Sequence, residues 1–309
     1  MNRFKPLLTP RILLGGGFVL LVLVLSIATL PLTLSEGHAL SYTRQAADAV
    51  RQGPDGSIAG LFGYDTLGRS ILGRCLLGGS ISLMVGVAAA TVAVVLGTAV
   101  GLIAGYTGGW VDSLLMRSVD VFYGLPYILL VILFKIALEV PMTKLFDRLQ
   151  FGHNWFSSAQ AANLVVMFLS IGLVSWLTMA RVVRGQVLQL RGLPFVEAAR
   201  AIGMPHKRIF MRHVLPNLVG PITVYATLTV PGAILQESFL SFLGVGVRLP
   251  LPTWGSLASD GVAGLTPVKF YWWMLLFPCS LLMVALLGLN FLGDGLRDVL
   301  DPKNDAGKL

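Results

Sequence analysis

The sequence predicts an all-α, polytopic membrane protein with six transmembrane helices. Three observations lead there. The chain is 55% hydrophobic and only 12% charged, where a soluble globular chain carries about 25% charged residues, so much of its surface does not face water. Its mean hydropathy is +0.78. Its apolar residues gather into runs of roughly 20, the length that crosses a bilayer as a helix. The net charge of +8 does not point to nucleic acid: membrane proteins retain Lys and Arg on the cytoplasmic side, and no soluble basic domain is present to bind a nucleic-acid partner.

The first apolar run, Ile12 to Leu34, follows Arg3, Lys5 and Arg11. It is longer than a signal-peptide core and lacks a small-x-small cleavage site, so it reads as an uncleaved first span with a cytoplasmic N-terminus. Five more spans follow: Gly79 to Tyr106, Ser118 to Leu138, Asn163 to Val183, Leu218 to Leu240 and Tyr271 to Leu292. An even number of spans puts both termini on one side. The charge balance names that side. With the N-terminus inside, inside segments hold about 14 Lys and Arg and outside segments about 8, the bias that orients bacterial membrane proteins. The decisive segment runs from Arg181 to Arg212 and also holds Arg184, Arg191, Arg200, Lys207 and Arg208. The chain thus divides into residues 1–78 (tail, first span and a long outside segment), 79–293 (five helices) and 294–309 (a cytoplasmic tail). Of the outside segments, Ser35 to Gly78 carries the turn-rich Gly53–Pro54–Asp55–Gly56. The other, Glu139 to Ala162, is either an amphipathic helix at the interface, with Phe146, Phe151 and Trp155 among its apolar residues, or an ordinary loop.

Within the spans, Gly97, Gly101 and Gly105 recur every four residues and predict close helix packing. Pro126, Pro221, Pro231 and Pro278 predict kinks, tolerated where neighbours satisfy the freed carbonyls. Lys135 and Glu139, one turn apart, predict a structural ion pair near the outer end of the third span. Cys75 and Cys279 offer neither a disulfide framework nor metal spacing. The four histidines lie outside the spans, no H-E-x-x-H metal helix occurs, and no G-x-x-x-x-G-K-[ST] phosphate loop occurs, so a nucleotide-driven activity requires another subunit.

The segment Arg191 to Asn217 reads as two short helices in the basic loop. Pro194 suits a first helical position, Glu197 the positive end of the dipole, and Gly203 a left-handed cap. Pro205 opens the second helix, and Pro216 leads into the fifth span. The first helix sets Phe195, Ala198, Ala199 and Ile202 on one face, a surface that fills a partner groove or packs under its own bundle.

This loop resembles the E-A-A-x3-G-x9-I-x-L-P signature of permease subunits of ABC importers. Glu197, Ala198, Ala199, Gly203, Leu215 and Pro216 match in spacing, and His213 stands where the signature has isoleucine. The R-H-V-L-P-N form is similar to the dipeptide, oligopeptide and nickel branch. So are Asp65–Thr66–Leu67–Gly68–Arg69, Gly105 to Asp112, Ser241 to Gly246, Pro252–Thr253–Trp254–Gly255, Asn290 to Asp298 and Leu300–Asp301–Pro302. Ser70 departs from an aspartate common after the Gly-Arg pair, and the 139–162 segment is longer than expected.

The resemblance covers residues 60 to 303 and implies a type I ABC importer permease of the bacterial inner membrane. It further implies a coupling loop at 184–216 and no cofactor in this chain, with ATP and Mg bound by two partner ATPase subunits. A second homologous permease subunit and a periplasmic or lipid-anchored solute-binding protein complete the implied partners. A stand-alone secondary transporter or channel would carry more ionisable residues deep in its spans. A membrane-embedded enzyme would need reactive residues there, and histidine is absent from them.

Overall fold

The computed structural model describes residues 10–150, 157–265 and 269–300. The basic residues Arg3 and Lys5, the Phe151–Trp155 stretch and the Asp301–Pro302 pair lie outside these residues. Among the described residues the chain is helical, with only two isolated β-bridges, Tyr64–Ser70 and Leu265–Phe270. In chain order the helices are α1 (Pro10–Ala28), α2 (Leu30–Leu34), α3 (Ile71–Thr107), α4 (Gly109–Tyr123), α5 (Tyr127–Arg148), α6 (Ser158–Arg191), α7 (Pro194–Ala201), α8 (His206–Ile209), α9 (Leu215–Phe242), α10 (Trp254–Ala263) and α11 (Trp273–Leu300).

Among the described residues, four helices are long and apolar enough to cross a membrane: α3, α6, the Phe210–Phe242 helix containing α9, and α11. The expected third span, Ser118 to Leu138, is two helices. α4 and α5 meet at a bend of 97°, because Gly124 caps α4 and Pro126, lacking an N–H, cannot continue a helix. If the pair is one broken span, the number rises to five. The expected first span also divides, into α1 and α2 on either side of Thr29, and its apolar part, Ile12–Ala28, is shorter than the others.

Several boundaries move. α6 extends to Arg191, so three arginines assigned to the basic loop, Arg181, Arg184 and Arg191, are helical. The boundary drawn at residue 294 falls inside α11. The stretch Glu139–Arg148, expected outside as loop or interfacial helix, continues α5 through Pro141. α10, which the sequence does not announce by any long apolar run, is nucleated by a capping box: Thr253 and Ser256 exchange side-chain and backbone hydrogen bonds.

The core forms where α3 lies along α6 and both meet α9. The glycine ladder produces this contact. A Cβ on Gly97 would lie 2.5 Å from Met179 Cβ, one on Gly101 2.6 Å from Ala180 O, and one on Gly105 2.8 Å from Val187 Cβ. Gly172 of α6 reciprocates against Val92. The ladder is therefore internal packing, as its spacing suggests. α11 packs against α1, α9 and α10, and Cys75 sits buried with Ile71, Leu257 and Met274.

Ser70, the departure from the family pattern, has a local job. Its Oγ accepts from Gly73 N as the N-cap of α3 and donates to Ala59 O at 2.5 Å, tying the 35–70 segment to the helix start. The Lys135–Glu139 ion pair does not form. Lys135 donates to Val245 O and, at 2.6 Å, to Gly246 O, while Glu139 pairs with Arg248 at 2.7 Å. The carbonyls of the turn after α9 have no helical partners, so they take the ammonium.

The ladder predicts an asymmetric response to methyl insertion. Gly101→Ala lowers stability by about 1–3 kcal/mol through overpacking, whereas Gly185→Ala, whose Cβ meets nothing within 4 Å, leaves it unchanged or raised. Thermal unfolding of the detergent-solubilised variants measures both.

Candidate functional site

α6 ends at Gly192, and the chain turns through extended Leu193 into α7. Pro194 occupies the first turn, where its missing N–H costs nothing. Glu197 lies in the same turn, near the positive end of the helix dipole, and Arg200 lies in the last turn. The helix stops because Gly203 takes φ +76°, a left-handed conformation that a side chain disfavours. Gly203 N–H donates to Arg200 O at 2.9 Å and Met204 N–H to Ala199 O at 3.1 Å, which together form a Schellman cap.

Pro205 then starts α8, its carbonyl accepting from Arg208 and Ile209. A π-helical turn, Phe210–Val214, joins α8 to α9. The π register follows from Pro216: without an N–H it cannot close the ordinary bond to Arg212 O, and Leu215 N–H reaches back five residues to Phe210 O. Asn217 Nδ2 donates to His213 O at 2.6 Å. The Leu215–Pro216–Asn217 triplet thus shapes the entry to α9.

α7 has two faces, where the sequence spacing suggested one. Val196 and Ala199 are buried in a cluster with Met179, Val183 and Val187 of α6, Ile209 of α8, and Val214 and Leu218. The other face carries Phe195, 41% exposed, Ala198, and Ile202, 77% exposed. Self-packing and an open apolar surface therefore coexist on one short helix. Of the motif residues, Ala199 is buried and Leu215 half-buried, while Glu197, Ala198, Gly203 and Pro216 are exposed. Glu197 N–H donates to Leu193 O, and its carboxylate has no hydrogen-bond or ion-pair partner among the described residues. Phe195 lies beside His213, ring centroids 6.2 Å apart, so the residue departing from the signature touches the helix that carries it.

The loop is anchored by arginines that sequence reading took only as topology signals. Arg184 forms a two-pronged pair with Asp112 of α4, at 2.5 and 2.6 Å. Arg181 reaches Asp120 at 2.7 Å and lies over the Tyr123 ring at 3.9 Å. Arg191 donates to Gly105 O at 2.8 Å. The first two tie α4 to α6, and the third ties the end of α3 to α6. Asp112 and Asp120 were missed as partners, although Asp112 sits in the recognised Gly105-to-Asp112 motif.

Two polar groups at the remote end were also missed. Arg74 bridges Asp65 at 2.6 Å and Asp260 at 3.2 Å, joining α3 to α10. Glu237, fully buried on α9, accepts from Ser82 at 2.8 Å and from Ser241 at 2.6 Å. The signal was an arginine and a glutamate inside apolar runs, where an ionisable residue needs partners.

Known proteins give this geometry its context. Residues 97–305 match the family described as the binding-protein-dependent transport system inner membrane component. The chain is 44% identical over 243 residues to the oligopeptide transport system permease protein OppC of Haemophilus influenzae, covering 79% of this chain and 70% of that one. It is 41% identical over 242 residues to the dipeptide transport system permease protein DppC of Bacillus subtilis, covering 78% and 68%. It is 37% identical over 300 residues to DppC of Alkalihalophilus pseudofirmus, covering 97% and 88%. Among solved structures, an inward-facing form of the MetNI methionine ABC transporter aligns with a TM-score of 0.54 at 18% identity, covering 75% of this chain and 98% of that one. That likeness identifies the fold as the type I ABC importer permease fold. The chain belongs to the binding-protein-dependent transport system inner membrane component family and is a transport subunit of an ABC importer, not an enzyme.

Proposed function

We propose that this chain is one of two homologous permease subunits of a peptide importer, and that α7 is its coupling helix. The carrying observation is the open Phe195–Ala198–Ile202 face on a helix whose opposite face is locked into the bundle. A short helix with one face anchored transmits a push; with the other face apolar and open, it fits a groove on a partner. Peptide substrates are supported by the oligopeptide and dipeptide transporters among the relatives. In this reading the α7 end is cytoplasmic, α1, the α4–α5 pair, α3, α6, α9 and α11 make six crossings, and both termini lie inside. Two ATPase subunits bind ATP and Mg beneath α7, and an external solute-binding protein delivers the peptide.

The coupling is mechanical. When the ATPases close on ATP, they displace α7. The Schellman cap at Gly203 and the continuous π-turn into α9 carry that displacement to a membrane helix, and the Arg184–Asp112 and Arg181–Asp120 pairs carry it to α4. Inverting a two-state bundle from about 1:99 to 99:1 takes roughly 5.5 kcal/mol of differential binding, which ATP binding to the partners supplies through this contact.

Four outcomes follow. A complex purified in gentle detergent through a tag on this chain contains a second permease and ATPases with phosphate loops. Ile202→Asp releases the ATPases and keeps the second permease; retention of both at wild-type stoichiometry argues against α7 as the docking helix. Gly203→Pro forces φ to about −65° and deletes the N–H that closes the cap. It leaves membrane insertion intact and uncouples ATP hydrolysis from uptake, and normal substrate-stimulated turnover in this variant would sink the assignment. Arg184→Gln and Asp112→Asn each impair uptake, and the double variant loses less than the two single losses combined, a coupling of roughly 1–2 kcal/mol. Additive losses would place the pair outside the coupling route.

A further inference from the structure

The α5–α9 face carries two cavities in series. The one nearer α7, about 460 Å³, is mainly apolar and is lined by Tyr127, Leu130, Tyr225 and Leu228 among others. The one at the remote end, about 630 Å³, is lined by Lys135, Glu139, Arg248 and Asp260 with Ser256 and Ser259. The Tyr127–Gln236 hydrogen bond belongs to the wall of the first. Both volumes fall in the range of small-ligand sites, yet they differ in chemistry. The remote cavity is lined by two cations and two carboxylates, a net charge of zero.

These four groups do not have equal capacity left for a ligand. Lys135 is 8% exposed and its ammonium is spent on Val245 O and Gly246 O. It fixes the 243–249 turn that forms one wall. Glu139 is spent on Arg248. Arg248 itself is 64% exposed and uses one guanidinium nitrogen on Glu139, which leaves donors open. Its backbone is held by Asn163, whose Oδ1 accepts Arg248 N–H at 2.9 Å. Asn163 is 2% exposed, and its Nδ2 has no partner among the described residues. In the same lining, the Asp260 side chain is 42% exposed and gives one carboxylate oxygen, Oδ2, to Arg74. Arg74 is itself clamped by buried Asp65. Arg248 and Asp260 are therefore an anion-seeking and a cation-seeking group, each held by a second tier of bonds, lining one cavity.

We propose that this cavity is a transit site for zwitterionic peptides, with Arg248 receiving the terminal carboxylate and Asp260 the terminal ammonium. A ligand bearing only one charge pairs with one of these two groups and meets like charge at the other. A ligand with separated opposite charges pairs with both. Lys135 and Glu139 are positioning residues, and the apolar cavity beneath accepts side chains as the ligand moves toward α7. The proposal rests on the importer reading above and adds the chemical form of the cargo that this chain itself selects.

The test uses the intact importer purified through a tag on this chain and reconstituted in liposomes. ATP-driven uptake of trialanine is compared with that of its C-terminal amide and its N-acetyl derivative, in the wild type, Arg248→Gln and Asp260→Asn. Because the solute-binding protein also discriminates, the quantity read is the change in each uptake ratio between wild type and variant. Arg248→Gln should reduce the free-acid-to-amide preference about tenfold and leave the preference against the acetylated peptide unchanged; Asp260→Asn should do the reverse. Since Asp260→Asn also loosens Arg74, Arg248→Lys provides a second check, retaining most of the carboxylate preference. Unchanged ratios, or equal loss for all three peptides, overturn the site while leaving the importer reading standing. A wild-type complex that hydrolyses ATP yet imports no peptide overturns both.

Discussion

The backbones of α3 and α6 approach closely because Gly97, Gly101 and Gly105 present no side chain to Met179, Ala180 and Val187, and the positions of the other elements follow from that contact. In lipid, apolar burial gives helices no reason to associate, so tight van der Waals packing must supply the attraction. Once α6 lies in this groove, Arg184 and Arg191 stand beside the end of α3 and the start of α4, within reach of Asp112 and Gly105 O. α7 then begins three residues beyond the end of α6 and buries Val196 and Ala199 against it. The loop proposed to meet the ATPases is thereby built on the glycine-lined seam between α3 and α6, rather than on a flexible connection.

Ionisable groups inside the bundle mark the places where helices end or bend. Lys135 caps the carbonyls after α9, Glu237 gathers hydroxyls from α3 and α9, and Arg74 joins α3 to α10. Each is expensive in a low-dielectric interior unless its hydrogen-bonding capacity is filled. Removing one partner leaves the other buried and unsatisfied, so these groups hold register among helices that apolar contacts alone would allow to slide. The pairs at the α7 end differ in exposure: Arg181 and Asp120 lie near the surface, where an ion pair contributes little to stability and can break and re-form during a conformational change.

Hydropathy made the long helices legible, because bilayer thickness imposes a length. The Schellman turn was equally legible, since Gly203 has few alternatives after α7. Three features were not. The first is the size of the α4–α5 bend: Pro126 predicts a kink, but the neighbouring apolar residues read as one unbroken span rather than two helices at 97°. The two-faced nature of α7 depends on Val196, which a single-stripe reading leaves out. The Lys135–Glu139 spacing suggested a pair, but both residues face the turn at 243–249, and a contact more than a hundred residues away in sequence carries no periodic signal. For the same reason the arginines of α6 looked like topology markers until Asp112 and Asp120 were placed opposite them.

The bridge from Arg74 also sets an order in which the chain can be completed during synthesis. Asp65 and Arg69 lie close to Arg74 in sequence, so the first half of the cluster assembles as soon as the start of α3 exists. Asp260 follows 186 residues later, after α4 to α9 have been made. Until then the guanidinium has only its local partner, and a nascent chain halted before α10 leaves this charge cluster without the carboxylate that joins α3 to α10.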